Sequence, residues 1–350
     1  MTADNTYMKR ALQLAKNGLG STAPNPMVGA VIVFKDRIIG EGYTSPYGGS
    51  HAEVNAINAV EEKELLAGAT LYVTLEPCCH QGKTPPCVDL IIKHRIPRVI
   101  IGILDPHIKV AGKGVERLEN AGCKVTLGIM DKECRKHHRR FLIYHQEQRP
   151  YVILKWAESL DGFIAPVKDK RGINAKPYWI SNTYSRQLVH KWRSEEQAIL
   201  VGTKTVLDDN PKLNVRKWFG KSPIRIVLDK DLKIQKSYHI LDSSAKTIVL
   251  TQIKDRSRWH SAIAYEVIDF SKNLPKEICN VLFKYKIASV IIEGGATTLQ
   301  SFIDSAIWDE ARVIKSQGSL SDGLKAPVFS GYLQHTLKIG KDTINIYRND

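Results

Sequence analysis

Between residues 51 and 87 the chain gathers donor groups that few folds can bring together for any purpose but a metal. His51-Ala-Glu53 is followed by Thr74-Leu-Glu-Pro-Cys-Cys-His-Gln-Gly-Lys-Thr-Pro-Pro-Cys87. Neutral imidazole and thiolate are the ligands that suit tetrahedral Zn²⁺. A catalytic centre uses three of them and leaves the fourth position to water, whose pKa falls to about 7 there. One imidazole and two thiolates cancel the charge of the ion. Glu53, beside His51, can carry a proton between that water and a departing group. Cys79 rivals Cys78 for a ligand position. His80 could fill the fourth and make the centre structural.

The surrounding sequence alternates between strand and helix patterns. Met8, Ala11, Leu12 and Ala15 recur at helical spacing over residues 5–18, and Gly18 ends the run. Residues 30–34 and 37–40 read as a hairpin across Lys35-Asp36. Ser50 is an N-cap for a helix over 52–66 that carries Glu53. A buried strand over Thr70–Leu75 delivers Pro77 and Cys78. Pro77 suits the first turn of a helix, whose positive end would favour a Cys78 thiolate. Helices over 88–94, 115–121 and 132–144 alternate with strands over Arg98–Ile103 and 123–127. Such alternation predicts an α/β/α sandwich with its site at the carboxyl ends of strands.

His-x-Glu, then Pro-Cys, then a later Cys resembles the signature of zinc-dependent deaminases of amino-substituted bases. That signature puts its cysteine directly after proline, which favours Cys78 over Cys79. It implies His51, Cys78 and Cys87 as Zn²⁺ ligands and Glu53 as the proton carrier. Asn25-Pro-Met-Val-Gly29, the loop to Thr84-Pro-Pro-Cys87, and Asp105-Pro106 with Ala111-Gly-Lys-Gly114 narrow the resemblance. Together they look like the deaminase domain of the bifunctional riboflavin-biosynthesis deaminase/reductase family of RibD type. Eight residues separate Cys78 from Cys87, where nucleic-acid-editing relatives carry two. The resemblance implies Asn25 and Lys83 as contacts of a pyrimidine ribose-phosphate, and a lysine suits an anionic phosphate. His107 stands where the family usually has Asn.

A length of 350 residues, with 43% hydrophobic and 25% charged, allows two globular domains. No apolar run is long enough to span a bilayer, and the N-terminus has no apolar signal core. The expected setting is the cytoplasm, where thiols stay reduced and can bind metal. A net charge of +15 invites a nucleic-acid reading, but the lysines and arginines are scattered apart from Arg135-Lys-His-His-Arg-Arg140. The expected partner is a phosphorylated small molecule, with no nucleic acid and no membrane.

Polar residues and a proline over 146–150 mark a boundary, so the expected domains are 1–148 and 149–350. Beyond it, strands over 151–156, 198–201, 225–228, 247–250 and 289–293 interleave with helices over 182–195 and 297–304. A Rossmann domain is not expected: Gly112-Lys-Gly114 starts the glycine pattern, but Arg117 stands where the third glycine belongs. Gly294-Gly295 follows a buried strand and opens a helix, a place where backbone amides cradle phosphate.

Lys155-Trp-Ala-Glu-Ser-Leu-Asp-Gly162, Trp179-Ile-Ser181, the run Gly202-Thr-Lys-Thr-Val-Leu-Asp-Asp-Asn-Pro211 and Glu293-Gly-Gly295 resemble the reductase domain of the same family. That domain is similar in fold to dihydrofolate reductase and uses NADPH. The expected fold is therefore α/β throughout: an N-terminal cytidine-deaminase-like α/β/α sandwich and a C-terminal dihydrofolate-reductase-like α/β domain. The resemblance implies NADPH against Ala157, Trp179, Thr205, Asp209, Gly295, Ala296, Thr297, Thr298, Leu299, Gln300 and Ser301. It implies substrate against Arg193, Leu213, Arg216 and Glu293. Two arginines suit a substrate phosphate, because guanidinium grips it bidentately. Lys155, with Ser159 on the same strand face, is placed to polarise the ribose group that accepts hydride. Two departures stand out: Pro177 replaces a family serine, and the segment between Gly162 and Trp179 is longer and more charged than usual. The implied activity is deamination of a diaminopyrimidinone ribosylamine phosphate, then NADPH reduction of its ribosyl group to ribityl. A deaminase with a decayed reductase half is the alternative those departures suggest, and an RNA-editing deaminase is another. The family often associates through its reductase domains, so a homo-oligomer is an option.

Overall fold

A computed structural model describes residues 2–80, 85–106, 111–167, 177–260 and 263–349. The chain divides into two compact units, Met1–Gln148 and Arg149–Asp350.

The first unit runs α1 (Ala3–Ala15), β1 (Gly29–Phe34), β2 (Arg37–Tyr43), α2 (Ala52–Ala59), β3 (Thr70–Leu75), α3 (Cys87–Lys93), β4 (Arg98–Ile103), α4 (Lys113–Asn120), β5 (Lys124–Leu127) and α5 (Asp131–Gln146). Its sheet has the order β2-β1-β3-β4-β5. The β1–β2 and β1–β3 pairs are antiparallel, and β3, β4 and β5 are parallel. Lys35 and Asp36 both take positive φ, the two-residue turn whose twist matches a hairpin. In this register Ala30 pairs with Gly42, so those two face one side of the sheet and Gly29 faces the other. A Cβ on Gly29 would fall 1.9 Å from the Ala11 carbonyl oxygen of α1, and one on Gly42 would fall 2.4 Å from the Ala52 carbonyl oxygen of α2. Helices α1 and α2 therefore cover opposite faces, each seated where a side chain is missing. Strands β3 and β4 lie inside the sandwich and are almost wholly apolar. Their fully buried Leu71, Val73, Ile100 and Ile101 each stabilise the fold by about 1.5–3 kcal/mol.

Two local expectations need correction. Helix α2 ends at Ala59 instead of continuing to residue 66. The Lys63 ammonium turns back and donates to the carbonyls of Ile57, Asn58 and Val60, closing the helix, and residues Lys63–Gly68 form a separate 3₁₀ turn. His51, not Ser50, holds the N-cap position, and its side chain makes no cap bond.

The second unit contains β6 (Tyr151–Glu158), β7 (Phe163–Ala165), α6 (Thr183–Glu195), β8 (Ala198–Gly202), α7 (Thr203–Asp209), β9 (Ile224–Leu228), β10 (Thr247–Thr251) and β11 (Ala264–Val267). It continues through α8 (Leu274–Lys284), β12 (Ser289–Gly294), α9 (Ala296–Asp304), β13 (Glu310–Lys315), β14 (Leu324–Lys325), β15 (Tyr332–Ile339) and β16 (Asp342–Arg348). The nine-stranded sheet has the order β11-β10-β9-β8-β12-β6-β13-β16-β15. It is parallel from β11 to β13 and antiparallel through β16 and β15. Among the described residues no helix is long and apolar enough to cross a membrane.

Candidate active sites

In the first unit three elements converge. His51 caps α2, Cys87 opens α3, and Cys78 lies three residues past β3. His51 Nδ1 is 3.5 Å from Cys78 Sγ and 3.3 Å from Cys87 Sγ. The three donor atoms lie within 4.8 Å of one another, and among the described residues no other His, Cys, Asp or Glu joins them. Cys79 packs against the apolar core instead. Pro77 and Cys78 are not helical, contrary to expectation. The positive helix end still reaches Cys78, because the backbone N–H of Cys87 donates to its sulfur at 3.4 Å. Cys78 is pulled down to about 4, chiefly by the Cys87 S–H and also by His51. Cys87, the donor of that pair and the more deeply buried, is pushed up. An imidazole and two thiols sharing one proton at this spacing fit a divalent zinc, which deprotonates the thiols it binds.

Glu53 is buried in the first turn of α2, and burial, reinforced by Cys78, raises its carboxyl to about 7. It lines a cavity of about 320 Å³ with Asn25, Tyr47, His80, Asp105, Phe141 and His145. The last two were not anticipated; their four-residue spacing on α5 puts them on one helix face, where their rings meet edge to face at 4.4 Å. Lys83 and His107 lie outside the described residues, as does the segment 168–176.

In the second unit a cavity of about 810 Å³ opens at the carboxyl ends of β6, β8 and β12. Of the residues implied for the cofactor, Ala157, Trp179, Thr205, Asp209 and residues 295–299 line it. Gln300 and Ser301 do not. The Gln300 amide is committed to Asp304 and to the Val328 backbone, and Ser301 Oγ donates to the Thr298 carbonyl. Arg193, Leu213, Arg216, Glu293 and Lys155 all line the cavity. Arg193 does not have its fork free for phosphate, because Nε and Nη2 grip the two Glu293 oxygens at 2.9 and 2.7 Å. Burial pushes the Glu293 carboxyl up, but Arg193 and then Lys155 outweigh it and hold the group at about 2. Lys155 Nζ lies 3.5 Å from Glu293. Its pKa is nonetheless lowered, since burial and Arg193 outweigh a carboxylate whose closer partner is Arg193. Ser159 lies past the end of β6, where its hydroxyl donates to Asp161 and accepts from the Phe163 N–H, so it shares no strand face with Lys155. His190, not anticipated, is in the wall, and burial with the charges of Arg193 and Arg216 brings it down to about 4.

Two family models match the chain: the cytidine and deoxycytidylate deaminase zinc-binding region over residues 1–103, and the RibD C-terminal domain over residues 150–320. The riboflavin biosynthesis protein RibD of Aquifex aeolicus is 40% identical over 324 residues, covering 92% of this chain and 89% of its own. The chain belongs to the RibD family. RibD of Bacillus amyloliquefaciens is 36% identical over 98% of this chain and 99% of its own. The solved Thermotoga maritima diaminohydroxyphosphoribosylaminopyrimidine deaminase/5-amino-6-(5-phosphoribosylamino)uracil reductase is 36% identical, with a TM-score of 0.89 over 99% of this chain and 98% of its own. RibD membership makes the chain a bifunctional riboflavin-biosynthesis enzyme. Its deaminase domain is cytidine-deaminase-like and uses zinc; its reductase domain is dihydrofolate-reductase-like and uses NADPH.

Proposed function

We propose that the first unit hydrolytically deaminates a diaminopyrimidinone ribosylamine phosphate, and that the second reduces the ribosyl group of the product to ribityl. The supporting observation is the His51, Cys78 and Cys87 cluster with a buried carboxylate, Glu53, in the same cavity. The Thermotoga maritima relative carries both activities in its name. His51, Cys78 and Cys87 hold Zn²⁺, which supplies Lewis acidity and a water of lowered pKa. Glu53 would take a proton from the attacking water and pass it to the leaving ammonia. Asn25 and Asp105 would orient the base, with Phe141 in the same cavity wall. A cavity of about 320 Å³ suits one small phosphorylated ligand, not a nucleic-acid strand.

In the second unit NADPH supplies the hydride, and the protein orients it. Ala157, Trp179, Thr205, Asp209 and residues 295–299 form its bed. The first amides of α9 have no side-chain cap and are open to the pyrophosphate. Arg216 meets the substrate phosphate, while Glu293 fixes Arg193 and Lys155. Lys155 polarises the ribose oxygen. Two sulfurs held with an imidazole for a metal suit a reducing compartment such as the cytoplasm. Pro177 in the cavity wall favours one second reading, a deaminase whose reductase half is silent. A coupled assay on the purified chain separates the two: NADPH oxidation matching ammonia release supports the proposal. Ammonia release without NADPH oxidation supports the alternative.

A further inference from the structure

We propose that Glu76 is a positioning residue for the deaminase site, setting the wall that carries Asp105 against the loop that carries Cys78. The inference rests on the deaminase reading above. Glu76 directly follows β3, two residues before Cys78, and is only 3% exposed. Among the described residues no Lys or Arg pairs with it. Four backbone N–H groups do. Oε1 accepts from Gly114 at 2.9 Å and Val115 at 3.2 Å, and Oε2 accepts from Gly112 at 3.0 Å and Asp105 at 3.2 Å.

Three of those donors belong to the start of α4, whose N-cap is Gly112 at φ +79, a residue with no side chain to cap with. Glu76 supplies the missing cap from another element, where the helix dipole also favours its charge. The fourth donor, Asp105, lines the cavity with His51 and Glu53. The fit is close. A Cβ on Gly114 would fall 2.4 Å from the Pro77 carbonyl oxygen and 3.0 Å from Glu76 Oε1. Cys78 has its own anchors on α3: the Cys87 N–H to its sulfur, and the Val88 N–H to its carbonyl. Disturbing Glu76 therefore displaces the Asp105 wall and leaves the metal ligands together.

Two variants of the full chain test this. Glu76→Gln places an amide NH₂ against two of the four N–H groups. Gly114→Ala keeps the carboxylate and pushes α4 off the loop. In both, KM for the diaminopyrimidinone ribosylamine phosphate should rise at least about tenfold, the effect of one or two misplaced charge-assisted bonds. The deaminase kcat should stay within about threefold of wild type, since the metal and Glu53 stay in place. Zinc content should match wild type, as should NADPH-dependent reduction of separately supplied deaminated intermediate. The proposal fails if either variant keeps the wild-type KM, or if zinc content or kcat falls as KM rises. Wild-type enzyme that releases no ammonia would instead remove the deaminase reading.

Discussion

Replacing Glu293 by glutamine should lower the melting temperature of the second unit by about 6–12 °C. The side chains of Glu293, Arg193 and Lys155 are 7%, 11% and 13% exposed, so the charges meet with little water between them. Glu293 sits at about 2 in the folded protein, against about 4.3 for a glutamate in an unfolded chain. At about 1.36 kcal/mol per pKa unit, that difference stabilises the fold by roughly 3 kcal/mol at neutral pH. Removing one partner of a buried pair costs about 3–5 kcal/mol, which agrees. A unit of about 200 residues loses about 2–4 °C per kcal/mol. Because the folded pKa is depressed, the contribution is complete above the unfolded value and is lost as pH falls toward 2. About half of it should remain at pH 3. Calorimetry of wild type and Glu293→Gln at pH 7 and pH 3 measures both, and NADPH identifies the second unit by raising its transition. A shift below about 2 °C at pH 7, or one of equal size at pH 3, would refute the reasoning.

Three further outcomes are expected. Glu53→Gln should retain zinc and reductase activity while ammonia release drops about 10²–10⁴-fold, the usual worth of a general acid–base group; paired assays and metal analysis check it. Buried His138 is held well below its ordinary pKa by burial and the neighbouring His137, with Nε2 3.0 Å from Thr74 Oγ1. The unfolded chain therefore takes up a proton that the folded one refuses. The first unit should lose about 1.4 kcal/mol per pH unit below about 6.5 through this residue. Urea midpoints at pH 6.5 and 5 should diverge less in His138→Gln, and an unchanged slope would contradict the assignment. Arg216→Ala should raise KM for the phosphorylated reductase substrate about 10- to 100-fold and leave KM for NADPH alone, as steady-state kinetics would show.

Much of the frame was legible because short apolar runs with polar or proline borders leave few options. Strands β3 and β4 have the bounds read from the sequence. What was missed depends on partners far along the chain. The pattern after Ala59 reads as helix, yet Lys63 folds back onto the carbonyls of α2. Strand β15 has almost every residue exposed, so no alternation marks it, and its ladder with β16 holds it in place. Gln300 and Ser301 directly follow Leu299 in the cavity wall, but their side chains are committed to Asp304, Val328 and Thr298, partners no local pattern announces. Nothing local to Arg193 reveals that Glu293, a hundred residues on, occupies its fork. The gathering of His51, Cys78 and Cys87 was legible because their order resembles a signature whose soft ligands must meet at one point. Glu76 was not, because its four backbone partners appear only in three dimensions.

Zinc K-edge X-ray absorption on the purified enzyme tests the metal centre most directly. Two sulfur neighbours at about 2.3 Å, one imidazole nitrogen at about 2.0 Å and one light atom that exchanges with solvent are expected. A second imidazole, a third sulfur, or a spectrum unchanged by Cys78→Ser would contradict it.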